Sequence, residues 1–429
     1  MPTDAALVGS PPKQQSLTGV IVAATIGNVL EWFDFLVYGF FAVTIAEVFF
    51  PTGNATVSLL ITFGAFGVSY LVRPLGAIAV GSYSDKHGRK AGLTLSIALM
   101  MVGTILMLVT PGYATIGIAA PVIITLARLL QGFSVGGEFG SAVAFLVEHG
   151  HHRKGFAASW QWASTGIISI IVSLFGIVLT TQLSHEQLID WGWRVPYLFG
   201  LLVGPAGLYI RARMSETPEF LTGAKPQTIP IGELLARHPL SVLLALGASI
   251  ISNSSYYLLL YIPTYGQKTL HLPAYTGFVA TLVGGVILAV FSLVAGHCSD
   301  KMPRPRIMLW TAWLFLLTAY PVFWLMVAYP SLAACVFAVG WLNLVKAGYS
   351  GVLPSLLSEQ FPVETRAVGV AFSYSISVSI FGGFAPLIAT WLISTTGDNL
   401  SPSFYLMATA AMSIAALMVI RRRPIYAET

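Results

Sequence analysis

Gly81-Ser-Tyr-Ser-Asp85-Lys-His-Gly88-Arg89-Lys90 and Gly296-His-Cys-Ser-Asp300-Lys-Met-Pro-Arg304 are two versions of one short polar segment, each set between long apolar runs. The second follows the first by 215 residues, half of the 429-residue chain. A further echo, Glu148 before Arg153 and Glu359 before Arg366, repeats at an offset of 211 residues. Two matches at nearly one offset point to a duplicated chain. The longest polar connection, Arg211 to His238, falls near the middle, and Pro218, Pro226, Pro230 and Pro239 mark it as linker.

The repeated unit is a membrane unit. Hydrophobic residues make up 56% of the chain and charged residues 9%, whereas a soluble domain is about one quarter charged. So few charges cannot cover this much apolar area in water, and lipid is the solvent that suits it. Spanning hydrocarbon takes roughly 20 apolar residues per helix, and about twelve such segments follow one another. The runs are long and continuous rather than alternating, which favours helices over a barrel. The expected fold is therefore all-α with 12 transmembrane helices in two pseudo-symmetric six-helix halves. The expected division is a 1–16 tail, a 17–213 half, a 214–239 linker, a 240–421 half and a 422–429 tail. An even helix number per half relates the halves by an axis along the membrane normal, an arrangement in which substrate binds near the midplane between them.

Charge gives the orientation. Of 22 Lys and Arg residues, 17 fall on one side of the expected spans, against Arg194 and Lys268 on the other. By the positive-inside rule both termini are cytoplasmic, and a bacterial inner (plasma) membrane is the expected location. The first segment is not read as a cleaved signal, because it carries Glu31 and Asp34 and lacks a small-x-small exit. The net charge of +5 is accounted for by that sidedness and gives no reason to expect nucleic-acid binding. Cys298 and Cys335 read as packing residues. Glu148-His149-Gly-His151-His152-Arg153 lacks a matched ligand set and reads as a solvated turn rather than a metal site. No cofactor, metal or catalytic constellation is expected.

The segment that opens the reading also suggests a gate. Gly81 and Gly88 permit close helix approach and a tight turn, while Asp85 and Arg89 either form a charge lock or simply cap and anchor a helix. In the second copy Pro303 replaces the glycine, and its lock is expected to be weak.

Together with that segment, several motifs resemble the metabolite:H+ symporter family of the major facilitator superfamily. They are Gly27-Asn-Val-Leu-Glu31-Trp-Phe-Asp34-Phe, Arg128-Leu-Leu-Gln131-Gly-Phe-Ser-Val-Gly-Gly-Glu138, Trp191-Gly-Trp-Arg194-Val-Pro, Glu216-Thr-Pro-Glu219-Phe and Phe381-Gly-Gly. Within that family the chain is most similar to bacterial citrate–proton symporters, through Thr62-Phe-Gly-Ala-Phe-Gly, Pro111-Gly-Tyr-Ala-Thr-Ile-Gly and Tyr261-Ile-Pro-Thr-Tyr265-Gly. The resemblance implies proton-coupled symport; relatives carry citrate, tricarballylate, 2-oxoglutarate, shikimate, proline and betaine.

Buried ions mark function independently. A charge at a helix centre costs roughly 2.5–3.5 kcal/mol on insertion scales, so Glu31, Asp34, Arg73, Arg128, Glu138 and Lys346 must pair, face water, titrate or bind substrate. Glu31, Asp34 and Glu138 are the candidates for proton coupling, or alternatively brace helices. Arg128 suits bidentate capture of a carboxylate, or else partners an acid of the first helix. Gln131 lies one turn from it. Asn343, Lys346 and Ser350 share a face; Lys346 departs from the citrate-symporter pattern, where an apolar residue is expected. Arg73, Tyr257, Tyr261 and Gln161 complete the candidate substrate-binding set. The expected partners are a small organic anion, protons and the bilayer, with the protein a monomer. A zwitterion such as betaine or proline is the alternative cargo, and a non-transporting sensor the remote one.

Overall fold

The computed structural model describes residues 17–87, 89–136, 138–150, 153–212, 231–362 and 365–422. The expected tails, most of the 214–239 linker and Gly88 lie outside these residues, as do the side chains of Glu31, Asp85, Arg89 and Glu138.

Helices follow one another with short connections, and no strand occurs among the described residues. Among the described residues, eight helices are long and apolar enough to cross a membrane, and nine if one bent pair counts as a single span. That pair is Trp32–Phe40 and Ala42–Phe49, which meet at 75°; we label the whole rod, beginning at Leu17, α1. The others are α2 (Ala55–Leu71 with Arg73–His87), α3 (Arg89–Val109), α4 (Ala119–Ser134 with Glu138–His149), α5 (Lys154–Gln182) and α6 (Arg194–Ala212). After the linker come α7 (Pro239–Leu260), α8 (Ala274–Ser299), α9 (Arg304–Ala328), α10 (Leu332–Ser350 with Leu353–Glu359), α11 (Arg366–Ser377, a wide turn Val378–Gly382, then Ala385–Thr396) and α12 (Ser401–Ile420). The apolar parts of α3 and α4, Thr94–Val109 and Ala119–Ser134, are shorter than the rest.

The rods differ in where they stand. In α7, 89% of the apolar window is buried inside the protein, against 33% in α9. Accordingly α9 shows Trp310, Trp313, Leu317 and Trp324 outward, a stripe that suits lipid. α7 instead carries Asn253, Ser254, Ser255, Tyr256 and Tyr257 into the interior. A polar inventory that would be costly against hydrocarbon is sheltered between the halves.

Small residues let the halves meet closely. A Cβ at Gly166 of α5 would come within 2.6 Å of the Gly285 carbonyl of α8, and one at Gly285 within 2.9 Å of the Gly166 carbonyl. The α5–α8 seam is thus built backbone to backbone, the arrangement that small residues permit in membranes. Ser173 and Thr281 add a hydroxyl–hydroxyl bond of 2.9 Å across it. Inside the N-terminal half, Arg194 fastens α6 to the end of α3: its Nε and Nη2 donate to the Leu108 and Thr110 carbonyls at 3.0 and 3.2 Å. Its guanidinium lies 4.3 Å from the Trp193 ring, which gives the Trp191-Gly-Trp-Arg194 motif a bracing role.

Candidate functional site

Three buried cations stand in the interior of the bundle. Arg73, Arg128 and Lys346 are 3%, 0% and 0% exposed. Each is wrapped in aromatic rings, but their polar surroundings differ.

Arg128 sits on α4 between the rings of Phe35 and Tyr38, 4.4 and 4.5 Å from its guanidinium carbon. Its Nη1 donates to Gln131 Oε1 at 2.8 Å. Gln131 Nε2 in turn donates to Asp34 Oδ2 at 3.3 Å and to Thr104 Oγ1 at 3.2 Å, and Thr104 also bonds Asp34. The amide of Gln131 therefore stands between the cation and the acid, and the described ion pairs include none joining Asp34 to Arg128. This relay joins α1, α3 and α4. Arg128 Nε and Nη2, and Asp34 Oδ1, have no partner among the described groups.

Arg73 lies at the break in α2, 4.8, 5.3 and 4.4 Å from the rings of Trp32, Phe35 and Tyr70. Its Nε and Nη2 are likewise without partners among the described groups. Phe35 touches both arginines, so α1 reaches this centre through its ring. Asn28 points elsewhere: its Oδ1 accepts from Gln161 Nε2 at 2.8 Å, and its Nδ2 donates to the Gln161 main-chain carbonyl at 3.3 Å and to Ser164 Oγ at 2.7 Å. Gln161 is thereby engaged in joining α1 to α5.

Lys346 on α10 faces the other side of the seam. Its Nζ donates to the Ser252 carbonyl at 3.0 Å and to Ser350 Oγ at 3.1 Å, and lies 3.8 Å from the Trp162 ring and 5.2 Å from the Tyr256 ring. None of the described ion pairs includes it. Trp162 belongs to the N-terminal half and Tyr256 to the C-terminal half, so the ammonium sits between them. Asn343, expected on the same face, donates to the Val339 carbonyl at 2.9 Å and packs at Gly284 of α8.

Rings connect the two ends of the site. Trp32, over which Arg73 lies, meets Tyr256 edge-on at 6.4 Å, and Tyr256 meets Trp162 at 5.7 Å. Tyr257 packs against Tyr256, Tyr70 and Phe66, and Tyr261 against Phe63 at 5.5 Å. Both tyrosines hold α7 of one half against α2 of the other. The wide turn in α11 brings Ser379 Oγ to the Tyr70 carbonyl at 2.7 Å.

The halves also touch at both ends. At the end where α5 begins and α8 finishes, Asp300 accepts from the Gly155 and Phe156 amides at 2.6 and 3.1 Å, which caps the N-terminus of α5 across the seam. Arg304 bridges Asp300 at 3.8 Å and contacts Glu359. The second copy of the repeated segment, expected to lock weakly because Pro303 replaces the glycine, thus makes an inter-half cap. The proline costs nothing here because Pro303 stands just before α9 and needs no amide donor. At the opposite end Glu47 bridges Lys268 at 3.4 Å and His185 at 3.2 Å. They border a cavity of about 250 Å³ lined by Glu47, Asn54, Ser58 and Lys268 among others.

Sequence reasoning passed over Trp32, Trp162, Thr104, Glu47 and the cap by Asp300. For Asp300 and Arg304 the repeat itself carried a signal; for the tryptophans none existed, because only the seam shows which rings face a cation.

A two-half helical bundle with buried cations in its interior suits a membrane transporter. The chain belongs to the Major Facilitator Superfamily, whose family model matches residues 24–343. It is 36% identical to a citrate-proton symporter of Salmonella typhi over 93% of this chain and 92% of that one. It is 35% identical to a citrate-proton symporter of Klebsiella pneumoniae, covering 94% and 92%. A proline/betaine transporter of Salmonella typhimurium is 35% identical over 93% of this chain and 82% of its own length. In fold it matches the D-xylose-proton symporter with a TM-score of 0.75 at 17% identity, over 97% of this chain and 100% of that one.

Proposed function

We propose that this protein imports a small di- or tricarboxylate, such as citrate or tricarballylate, together with protons, by alternating access. The observation that carries the reading is the surplus of buried donors. Arg73 and Arg128 each have Nε and Nη2 without a partner among the described groups, and Trp162 Nε1 joins them. Among the described side chains of the site, one acid, Asp34, stands against three cations. A buried donor without an acceptor costs about 1–3 kcal/mol, more when charged, and a ligand rich in carboxylate oxygens supplies what is missing. The names of the citrate-proton symporter relatives support the same cargo.

In this reading Arg128, Arg73 and Lys346 draw the anion, with Gln131 setting the Arg128 fork. Asp34, with Glu31 and Glu138, carries protons. Bringing a negative charge into a cell costs roughly 2.3 kcal/mol per 100 mV, so accumulating a polycarboxylate requires at least as many protons as charges. The Asp300 cap closes the cytoplasmic end, together with Asp85, Arg89, Gly81 and Gly88; the Glu47–Lys268 bridge with Tyr257 and Tyr261 closes the outer end. The two halves, joined through 214–239, rock about the site in a bacterial inner membrane, with both termini cytoplasmic and the protein monomeric.

A zwitterion such as betaine is a second reading, favoured by the Trp162–Tyr256 rings. Those rings already hold the Lys346 ammonium, which counts against it. Proteoliposomes offered labelled citrate, tricarballylate, a dicarboxylate and betaine under an imposed pH gradient separate the two. Gradient-driven accumulation of a carboxylate is expected. Uptake indifferent to the gradient removes proton coupling, and uptake of betaine alone reverses the choice of cargo.

A further inference from the structure

We propose that Trp162, Tyr256, the Ser252 carbonyl and Ser350 form an ammonium-binding site that Lys346 fills from within the chain. Vacating it would create a site for a small external primary ammonium ion. The proposal deepens the reading of Lys346 given above, but its main test does not depend on what the protein carries.

The geometry is that of a receptor with its ligand in place. An ammonium has three N–H donors and no acceptor. Two of those of Lys346 go to oxygens at 3.0 and 3.1 Å, and the rest of the cation faces the Trp162 and Tyr256 rings at 3.8 and 5.2 Å. Cation–π attraction strengthens with desolvation, and the cage is closed to solvent. Ser252, Ser350 and Lys346 are 0% exposed, with Trp162 and Tyr256 at 3% and 7%. The serines are set by each other through a 2.7 Å hydroxyl–hydroxyl bond between α7 and α10, so one wall does not rely on the lysine. The Trp162 wall comes from α5, in the other half. The set recognises a cation by ring faces and neutral oxygens, with no carboxylate bonded to it among the described side chains. Such a set does not distinguish a tethered ammonium from a free one of the same size. A free cation bound there would bridge the halves as Lys346 does.

Lys346→Ala removes a propylammonium, so n-propylammonium is the matching probe. The full-length variant and the wild type are purified in detergent and their thermal unfolding followed with added propylammonium chloride, against equal sodium chloride. The expected result is a saturable rise in Tm for Lys346→Ala, none for the wild type, and loss of the response in Lys346→Ala/Trp162→Leu. Lys346→Met, which plugs the cage with an uncharged chain, is expected not to respond. If Lys346→Ala is recovered folded only when propylammonium is present, that also supports the site. Lys346→Ser serves where Lys346→Ala fails. A vacated cage that ignores propylammonium, a response equal in Lys346→Met, or failure of both small variants to fold even with the amine overturns the proposal. In proteoliposomes, restoration of citrate uptake in Lys346→Ala by propylammonium supports both the site and the anion reading. A rise in Tm without restored uptake supports the site and counts against Lys346 as an anion ligand.

Discussion

Arg128 and Lys346 are both fully buried cations, yet they are held in opposite ways. Arg128 is one amide away from an acid: Gln131 accepts from it and donates to Asp34, which Thr104 also bonds. Among the described residues, Lys346 has neutral oxygens and ring faces around it. The difference teaches how a transporter can divide two tasks between two halves. A cation coupled to an acid through a relay senses the acid's protonation, because the relay reorients when the acid loses its charge. A cation set among neutral groups has no acid of its own among the described residues, which leaves an arriving anion free to pair with it.

The largest effect is expected where the relay and the fork meet. Arg128→Ala should lower carboxylate uptake in proteoliposomes by about a hundredfold or more, which equals about 2.7 kcal/mol. Arg128→Lys should not restore it, because a point charge cannot reproduce a planar fork. Full activity in Arg128→Lys would show that charge alone matters on that side, and the contrast with Lys346 would collapse.

Asp34→Asn tests the acid end of the same relay. The neutral amide should keep substrate exchange across the membrane while abolishing accumulation driven by a pH gradient. Gradient-driven accumulation that survives would move the proton to Glu31 or Glu138. On the other side, Lys346→Met should weaken carboxylate affinity by about tenfold, about 1.4 kcal/mol, measured by competition against labelled substrate. Unchanged affinity would remove Lys346 from the anion's surroundings.

The two ends of the seam extend the comparison with smaller effects. Asp300, Arg304 and Glu359 are largely buried, their side chains 9–16% exposed, so Arg304→Ala leaves two acids without their cation. A loss of roughly 1–3 kcal/mol should appear as a lower Tm in detergent, and Arg304→Met/Glu359→Leu should recover part of it. Glu47 and Lys268 are one-third exposed, where ion pairs contribute at most about 1 kcal/mol. Glu47→Gln should therefore change Tm little, and raised salt should erase its effect on transport rate. A large, salt-insensitive effect would show that the outer end is as firmly shut as the inner.

Much of this was legible in the residues. Composition alone requires lipid, because 9% charge cannot cover so much apolar area in water. The repeated segment gives two halves, since duplication acts on the linear chain. The membrane ions pointed to a candidate site because each is too costly to bury idly, and of the six Asp34, Arg73, Arg128 and Lys346 are seen buried. Rings, amides and partners were different. Gln161 and Asn343 looked like lining groups, yet one joins α1 to α5 and the other turns back to its own helix beside α8. Trp162 gave no sign of its role, because nothing in a run of apolar residues tells which ring will stand over an ammonium from the other half. Gln131 was close to Arg128 in sequence, but its bond to Asp34 spans 97 residues. The residue types and their spacing thus determined a two-half transporter with buried charges. The packing of α1, α4, α5, α7 and α10 decided which charge relays to an acid and which rests in a cage, because those partnerships join helices far apart in the chain.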